Sequence, residues 1–248
     1  MKKLFCILLA IIMLFSLFAC GKDTTKEDDD DDVRGTVTTD PTKSINPTEN
    51  STPGNDQNNN QGNNQNNSEA EFSLGKTSGS TYTNDFLGLE FALPAGWTFY
   101  SEAQILELNN ITSNYYDEQA KEQLKNATII YDMLATHPTT NSSVNVNLEK
   151  LNSFQLMNLN IKANLESQFP TITATLKNMG FSNINIQYQK LTVDGKEYDG
   201  LVISATLNNI PMYQAAFAFL RGNYLACVTV CSMQTDNRTS ILNYFSFD

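Results

Sequence analysis

From Gly21 to about Ser68 the chain carries almost no large apolar side chain, which confines folding to the residues beyond Ser68. Val33, Val37 and Ile45 stand isolated there. Glu27 and Asp28 to Asp32 form an acidic block, a Thr/Pro/Asn/Ser stretch comes next, and Asn55 to Asn67 is almost all Asn and Gln. Such a segment cannot bury enough surface to offset its ordering entropy, so it is expected to stay disordered. As flexible coil its roughly 48 residues span about 35–40 Å r.m.s.. Five consecutive Asp lack the spaced ligands and the glycine of a calcium loop. The block reads instead as solvated charge that extends a tether. Asn/Gln runs can aggregate, but with its glycine, and inside a tether, this one reads as linker.

Ahead of the tether stand Met1-Lys2-Lys3 and an apolar run from Leu4 to Ala19, broken by Ser16. The run is shorter than the ~20 apolar residues of a membrane span. It has the length and the positive flank of a signal-peptide core. It closes on Leu17-Phe18-Ala19-Cys20-Gly21, which resembles the bacterial lipobox: Leu at −3, a small residue at −1, Cys at +1. Phe18 is bulkier than the usual −2 residue. The resemblance implies that diacylglycerol alkylates the Cys20 thiol and that cleavage falls before Cys20. Residues 1–19 are then the signal peptide and 20–74 the tether. Two or more acyl chains anchor stably where one is marginal. The competing readings are an ordinary signal cut near Ala19 and an uncleaved anchor. The placement of Cys20 argues against the first, and the shortness of the run against the second.

Four cysteines occur: Cys6 in the signal, Cys20 at the lipobox, and Cys227 and Cys231 near the end. The last two lie in Tyr224-Leu-Ala-Cys-Val-Thr-Val-Cys-Ser232, a strand-like stretch. Four residues along a strand place them on one face but ~13 Å apart, beyond the ~7 Å Cα limit of a disulfide. They read as small core hydrophobes. The single His137 sits beside Pro138, and no C-x-x-C is present, so metal and redox roles lack support.

Residues 75–248 suit one domain. From Glu69 onward there are 17 acidic and 10 basic residues, a net of −7. The domain has no basic cluster, which argues against a nucleic-acid partner. Leu87, Leu89, Phe91 and Leu93 around Gly88 predict a hairpin or bent strand. Pro94 and Gly96 stop it, and Trp97 comes directly after. Ser101 with Gln104 forms a capping box for a short helix. A second helix is expected over Tyr115 to Asn126. Ala127, Ile129, Tyr131, Met133 and Ala135 alternate as a strand, and so do Val144, Val146 and Leu148. Ile161, Leu165, Phe169, Ile172, Leu176 and Met179 make one face of an amphipathic helix ended by Gly180. Pro170 predicts a kink or break near Gln168.

The C-terminal third reads as a meander. Ile184, Ile186 and Tyr188 alternate, then the phase shifts to Leu191 and Val193, suggesting a bulge. Asp194-Gly195 and Gly222-Asn223 mark turns. Strands are expected over Tyr198 to Leu207, Met212 to Arg221 and Tyr224 to Ser232. Asp236 is expected to cap a final helix, with Ile241, Leu242 and Phe245 inward. The fold class is α+β: one antiparallel sheet with helices packed on its faces.

Leu93-Pro94-Ala95-Gly96-Trp97 after a hairpin, then helices, a hairpin-rich sheet and an ending Ile241-Leu242-Asn243-Tyr244-Phe245-Ser246-Phe247 resemble the PsbP-like α/β/α sandwich. The resemblance implies a binding or assembly role and no catalytic residues. Within it, Trp97 plugs the sheet edge.

No nucleophile elbow such as G-x-S-x-G is present. Gly75-Lys76-Thr77 lacks the upstream glycine of a phosphate loop, with Ala70 in its place, and lies in the expected disordered junction. The pairs Asp117/Glu118 and Glu197/Asp199 read as solvated charge. The expected function is therefore a binding or scaffolding module outside the membrane, with no enzyme activity and no cofactor or metal. It is held by a lipid on Cys20 and faces an unidentified protein or small molecule. Its candidate surface is aromatic: Trp97, Tyr100, Tyr115 and Tyr116, although such residues more often serve a core. Two alternatives are a hydrolase or transferase acting on wall or glycan material and an assembly factor for a membrane complex.

Overall fold

Two-residue turns set the frame of the C-terminal half. Asp194 and Gly195 take φ of 49° and 72°, and Asn208 and Asn209 take 50° and 65°. Positive φ at both central positions matches strand twist, and Gly and Asn tolerate it. These turns join β7 (Ser182–Val193), β8 (Lys196–Leu207) and β9 (Ile210–Arg221), and Gly222-Asn223 leads into β10 (Tyr224–Met233). β10 then pairs on its other side with β6 (Ser142–Lys150). Beyond β6 lie β5 (Ile129–His137) and β4 (Thr98–Phe99), which completes a seven-stranded antiparallel sheet, β4-β5-β6-β10-β9-β8-β7.

The computed structural model describes residues 72–112 and 116–248. The signal run, Cys20, the acidic block and the Asn/Gln tract lie outside the described residues, as does Tyr115. No helix among the described residues is long and apolar enough to cross a membrane.

The α+β class and the antiparallel pairing are as expected, but the described residues form two sheets. β1 (Lys76–Ser78), β2 (Thr81–Asn84), β3 (Leu89–Ala92) and β11 (Phe245–Phe247) form a second one in the order β1-β2-β3-β11. Tyr82, Phe91 and Phe245 from it pack with Val144, Val146, Val228 and Phe217 of the large sheet. Composition places Gly75-Lys76-Thr77 in a disordered junction; instead Gly75 leads into β1. Upstream of it, Phe72 stacks on Tyr224 at 4.8 Å and Leu74 is buried. The chain's end also differs from the expectation. The last helix, α5 (Arg238–Leu242), stops early, and Phe245 enters β11 opposite Phe91. Ile241, Leu242 and Phe245 are all buried, as their spacing requires. Asp236 does not cap α5. Asn237 holds the cap position, and Asp236 pairs with Arg238 at 2.6 Å.

The opposite face of the large sheet carries α4 (Ile161–Asn178), reached from β6 through the short α3 (Ser153–Met157). Leu165, Ile172 and Leu176 of α4 are buried with Leu201, Ile203, Cys227 and Cys231. Both cysteines are free. Gly180, at φ 89°, ends the helix. Its N–H donates to Lys177 O at 3.0 Å and that of Phe181 to Leu176 O at 2.9 Å, the paired bonds of a Schellman stop. The helix runs through Pro170 without the expected break. Buried residues on both sides of Pro170 hold the helix to the sheet, while Pro170 itself faces outward, where its missing donor leaves a carbonyl to water.

The phase change in β7 is not a bulge. Pairing with β8 is regular from Asn185 to Val193, and the register shift falls earlier, between Ser182 and Asn185. Ile184, Ile186 and Tyr188 face α4, whereas Leu191 and Val193 face the second sheet. One straight strand serves two cores in turn, so its apolar residues change parity.

Candidate functional site

The alternation expected for β5 fails at Asp132. Register against β6 shifts between Tyr131 and Met133, so Asp132 is an extra residue in the strand. Such a bulge re-aims a side chain. Ile130 is buried in place of Ile129 and Tyr131, and Asp132 turns inward at 5 % exposure. The end of α1 (Glu102–Leu108) secures the distortion. Asn109 Nδ2 donates to Tyr131 O at 2.8 Å, and Tyr131 N donates to Asn109 Oδ1 at 2.8 Å. A side-chain amide thus stands in for a strand partner. Ser101 and Gln104 form the expected capping box at the start of the same helix.

Three donors converge on Asp132. Gly75 N reaches Oδ1 at 2.7 Å and Asn84 Nδ2 reaches Oδ2 at 2.6 Å, while the Tyr82 hydroxyl also donates to Oδ2. Tyr82 and Asn84 are buried on β2. Asn84 Oδ1 is itself taken by Leu87 N at 2.8 Å, which fixes the amide orientation. Burial pushes the Asp132 carboxyl above its ordinary value, and the bonds from Tyr82, Gly75 and Asn84 pull the other way. Burial, and then the Asp132 charge, hold the Tyr82 phenol well above its ordinary value.

This carboxylate lies at one wall of a cleft of about 690 Å³. Met133 and Leu134 continue that wall; Tyr100, Glu102 and Ile105 come from the start of α1. Tyr116 and Lys121, around the beginning of α2 (Glu118–Asn126), close another side. α2 starts at the Asp117 cap, three residues after the expected boundary. Lys76, Thr83 and Asp85 stand on the remaining border. Backbone bonds hold the aromatic pair. Tyr100 N donates to Leu134 O at 2.8 Å, and Tyr116 N donates to Glu102 Oε1. Lys121 Nζ sits 5.5 Å from the Tyr116 ring centroid. Partial burial raises both phenols.

Of the aromatic residues singled out in the sequence, Tyr100 and Tyr116 line this one cleft. Trp97 does not; it packs on the core and meets His137 edge-on at 5.9 Å. Asp132, Tyr82 and Asn84 were missed. The signal for Asp132 was a lone charge inside the apolar run Ile129 to Ala135. Among the charge pairs, Asp117 caps α2, Glu118 meets Lys121 on the surface, and Asp199 accepts from Tyr188 and Lys190. Among the described residues no group of three His, Cys, Asp or Glu is placed to hold a metal ion.

Chemically, the cleft offers aromatic and apolar walls with a few polar groups, the usual make-up of a small-ligand site. Three of the roughly four lone-pair positions on Asp132 are occupied, which makes it a fixed acceptor more than a mobile base.

No family model matches the chain, and no curated protein matches it. Among the solved structures that match is LpqN, involved in cell envelope biogenesis of Mycobacterium tuberculosis, which aligns with a TM-score of 0.34 at 12 % identity. The alignment covers 62 % of this chain and 75 % of that one. A likeness this slight carries no functional argument, and it does not establish the PsbP-like resemblance.

Proposed function

We propose that this chain is a bacterial lipoprotein, anchored outside the cell membrane through Cys20, whose domain binds a small molecule or a short segment of a partner in the Asp132 cleft. The observation that carries the reading is the convergence of Tyr100 and Tyr116, both partly buried, on one cleft beside a fixed carboxylate. The signal run and lipobox support the anchoring, and the polar stretch from Gly21 to Ser68 supports a domain held away from the headgroups.

Photo-crosslinking tests the binding site. A photoreactive side chain replaces Tyr116 in the full chain in its own membranes, and the same group at exposed Lys177 serves as the control. An adduct formed at position 116 and not at 177 supports the reading. No adduct, or equal adducts at both positions, sinks it. Mass spectrometry of the mature N-terminus tests the anchor, and an unacylated Cys20 or a cut elsewhere removes it.

A hydrolase or transferase acting on glycan has one observation in its favour: Asp85, Glu102 and Asp132 all border the cleft. Against it stands the occupation of three of the roughly four lone-pair positions on Asp132 by donors of the fold. Release of reducing ends from isolated cell wall, abolished by Glu102→Gln, would turn the reading toward catalysis.

A further inference from the structure

β1 is an edge of the small sheet, paired with β2 on one side only and exposed along its length. The direction of its backbone bonds follows from its neighbours. Leu93 N donates to Ser80 O at 2.7 Å, so Ser80 and Tyr82 bond toward β3, and the alternate residues Thr81 and Thr83 bond toward β1. Ser78 and Lys76 stand opposite those two and exchange bonds with them. Gly75 and Thr77 therefore point their N–H and C=O away from β2. Gly75 shows it directly, since its N–H meets Asp132 Oδ1 at 2.7 Å. Thr77, about 7 Å along the strand, is the next outward position. Among the described residues no group meets its N–H or C=O.

Gly75, Lys76 and Thr77 also border the Asp132 cleft, so the open ladder position lies on its rim. In the β1–β2 ladder Thr77 stands opposite Tyr82, which is buried against the large sheet. A strand residue placed opposite Thr77 on its free side shares that face. Its side chain is directed toward the large sheet, where Met133, Leu134 and Tyr100 line the cleft with Ile105 and Tyr116. These walls suit an aromatic or bulky apolar side chain. The rim charges balance, Lys76 and Lys121 against Asp85 and Glu102, with Asp132 already bonded to its three donors. The rim therefore selects neither an anion nor a cation.

We propose that the ligand of this cleft is an extended peptide segment, added to β1 as an antiparallel strand through Thr77, with an aromatic or bulky apolar side chain seated beside Tyr100 and Tyr116. The inference rests on the cleft being the binding site and narrows its ligand from a small molecule or a segment to a segment. The residue opposite Thr77 donates its N–H to Thr77 O and accepts from Thr77 N, the double exchange of a hydrogen-bonded antiparallel pair. Asp132 holds the Gly75 position, so pairing starts at Thr77. In strand addition of this kind the main-chain bonds supply affinity and the side-chain pocket supplies selectivity.

The test uses the full chain extracted from membranes in mild detergent and titrated with the peptide acetyl-Ser-Thr-Phe-Thr-Ser-amide. Wild type binds it saturably. Methylation of the Phe amide nitrogen removes the donor to Thr77 O, and Thr77→Pro removes the donor at Thr77 itself. Each weakens binding about tenfold or more, because one carbonyl of the pair is left unbonded. Thr77→Pro keeps Tm level, since a proline whose missing N–H faces outward is tolerated in an edge strand. The methylated peptide on wild type carries the test alone if that variant does not fold. Tyr116→Ala also weakens binding, by removing a wall of the cleft. The absence of saturable binding overturns the proposal. So does binding that ignores both backbone changes, that N-acetylphenylalanine amide matches, or that Tyr116→Ala leaves unchanged. If one of these is found while the photo-adduct at position 116 forms, strand addition falls and the cleft stands as a site for another ligand. Without the adduct the cleft reading falls as well.

Discussion

Asn84 Nδ2 donates to Asp132 Oδ2 at 2.6 Å, across 48 residues of sequence, and so ties the second strand of the small sheet to the bulge in β5. With the Tyr82 hydroxyl and Gly75 N on the same carboxylate, this bond joins the start of the domain to the large sheet. Asp132→Asn keeps the shape but turns a donor toward donors. The expected cost is about 2–4 kcal/mol, since at least one buried partner is left unpaired. Urea denaturation of both proteins measures it; a change below about 0.5 kcal/mol would show that the cluster is slack.

The same carboxyl gives a pH signature. Its folded-state value lies above the ordinary one, so between those values the folded chain binds more protons than the unfolded chain. Stability from this group is then full below the ordinary carboxylate range and declines as pH rises through the raised value. Subtracting the Asp132→Asn stability curve from the wild-type curve should expose a decline toward neutral pH. A difference that rises over that window contradicts the assignment.

Asp199 has the opposite sign. The Tyr188 hydrogen bond, and then Lys190, hold its carboxyl below the ordinary value. Its contribution is present above the unfolded-state value and is lost as pH falls through the lowered one. Lys190 is about half exposed, so the effect is at most about 1 kcal/mol. Acid unfolding of Asp199→Asn should be flatter than that of wild type, and identical acid limbs would rule the contribution out.

Pro170 sits in the interior of α4 with its side exposed. Pro170→Ala restores one helical hydrogen bond and is expected to stabilise by about 1–3 kcal/mol. Leu176→Ala in the same helix removes a fully buried side chain and should cost about 2–5 kcal/mol. Thermal melts of the two variants should move in opposite directions. A destabilised Pro170→Ala would mean that the core depends on a bend at this residue.

Burial pushes the Cys231 thiol up to about 12, and Cys227 is buried beside it in the strand. Because the thiolate is the reactive form, the folded protein should resist alkylation at pH 8. In denaturant, mature chain acylated at Cys20 should expose two thiols, chain cut before Cys20 but not acylated three, and uncut, unacylated chain four. Rapid native labelling of Cys231 would contradict the core packing.

The local elements were legible because their signals are local. The Ser101–Gln104 capping box, the Leu165–Ile172–Leu176 stripe closed by Gly180, and the Asp194-Gly195 turn each lie within one element's reach. Across elements the reading was weaker. The β7 phase change was visible but pointed to a bulge, because parity in one strand does not tell which of two cores a residue faces. The apolar spacing of Phe245 suits a helix face, whereas pairing with Phe91 makes it strand. Tyr100 and Tyr116 stood out one by one; the cleft they share was not visible.

By itself the sequence determined local elements such as the capped start of α1 at Ser101 and Gln104 and the stop of α4 at Gly180, since each is set by residues next to one another in the chain. It also determined that the folded part is α+β, since apolar periods of 2 and 3.6 are fixed by backbone geometry. Only the tertiary structure decided that Asp132 points inward. A one-residue bulge reverses side-chain parity without any fixed residue signature, and the donors that make a buried carboxylate tolerable come from Gly75, Tyr82 and Asn84, at least 48 residues away in the chain. The burial of Asn145, Asn147 and Gln214 was settled the same way, by strand order, because β6, β10 and β9 become neighbours only once the sheet has formed.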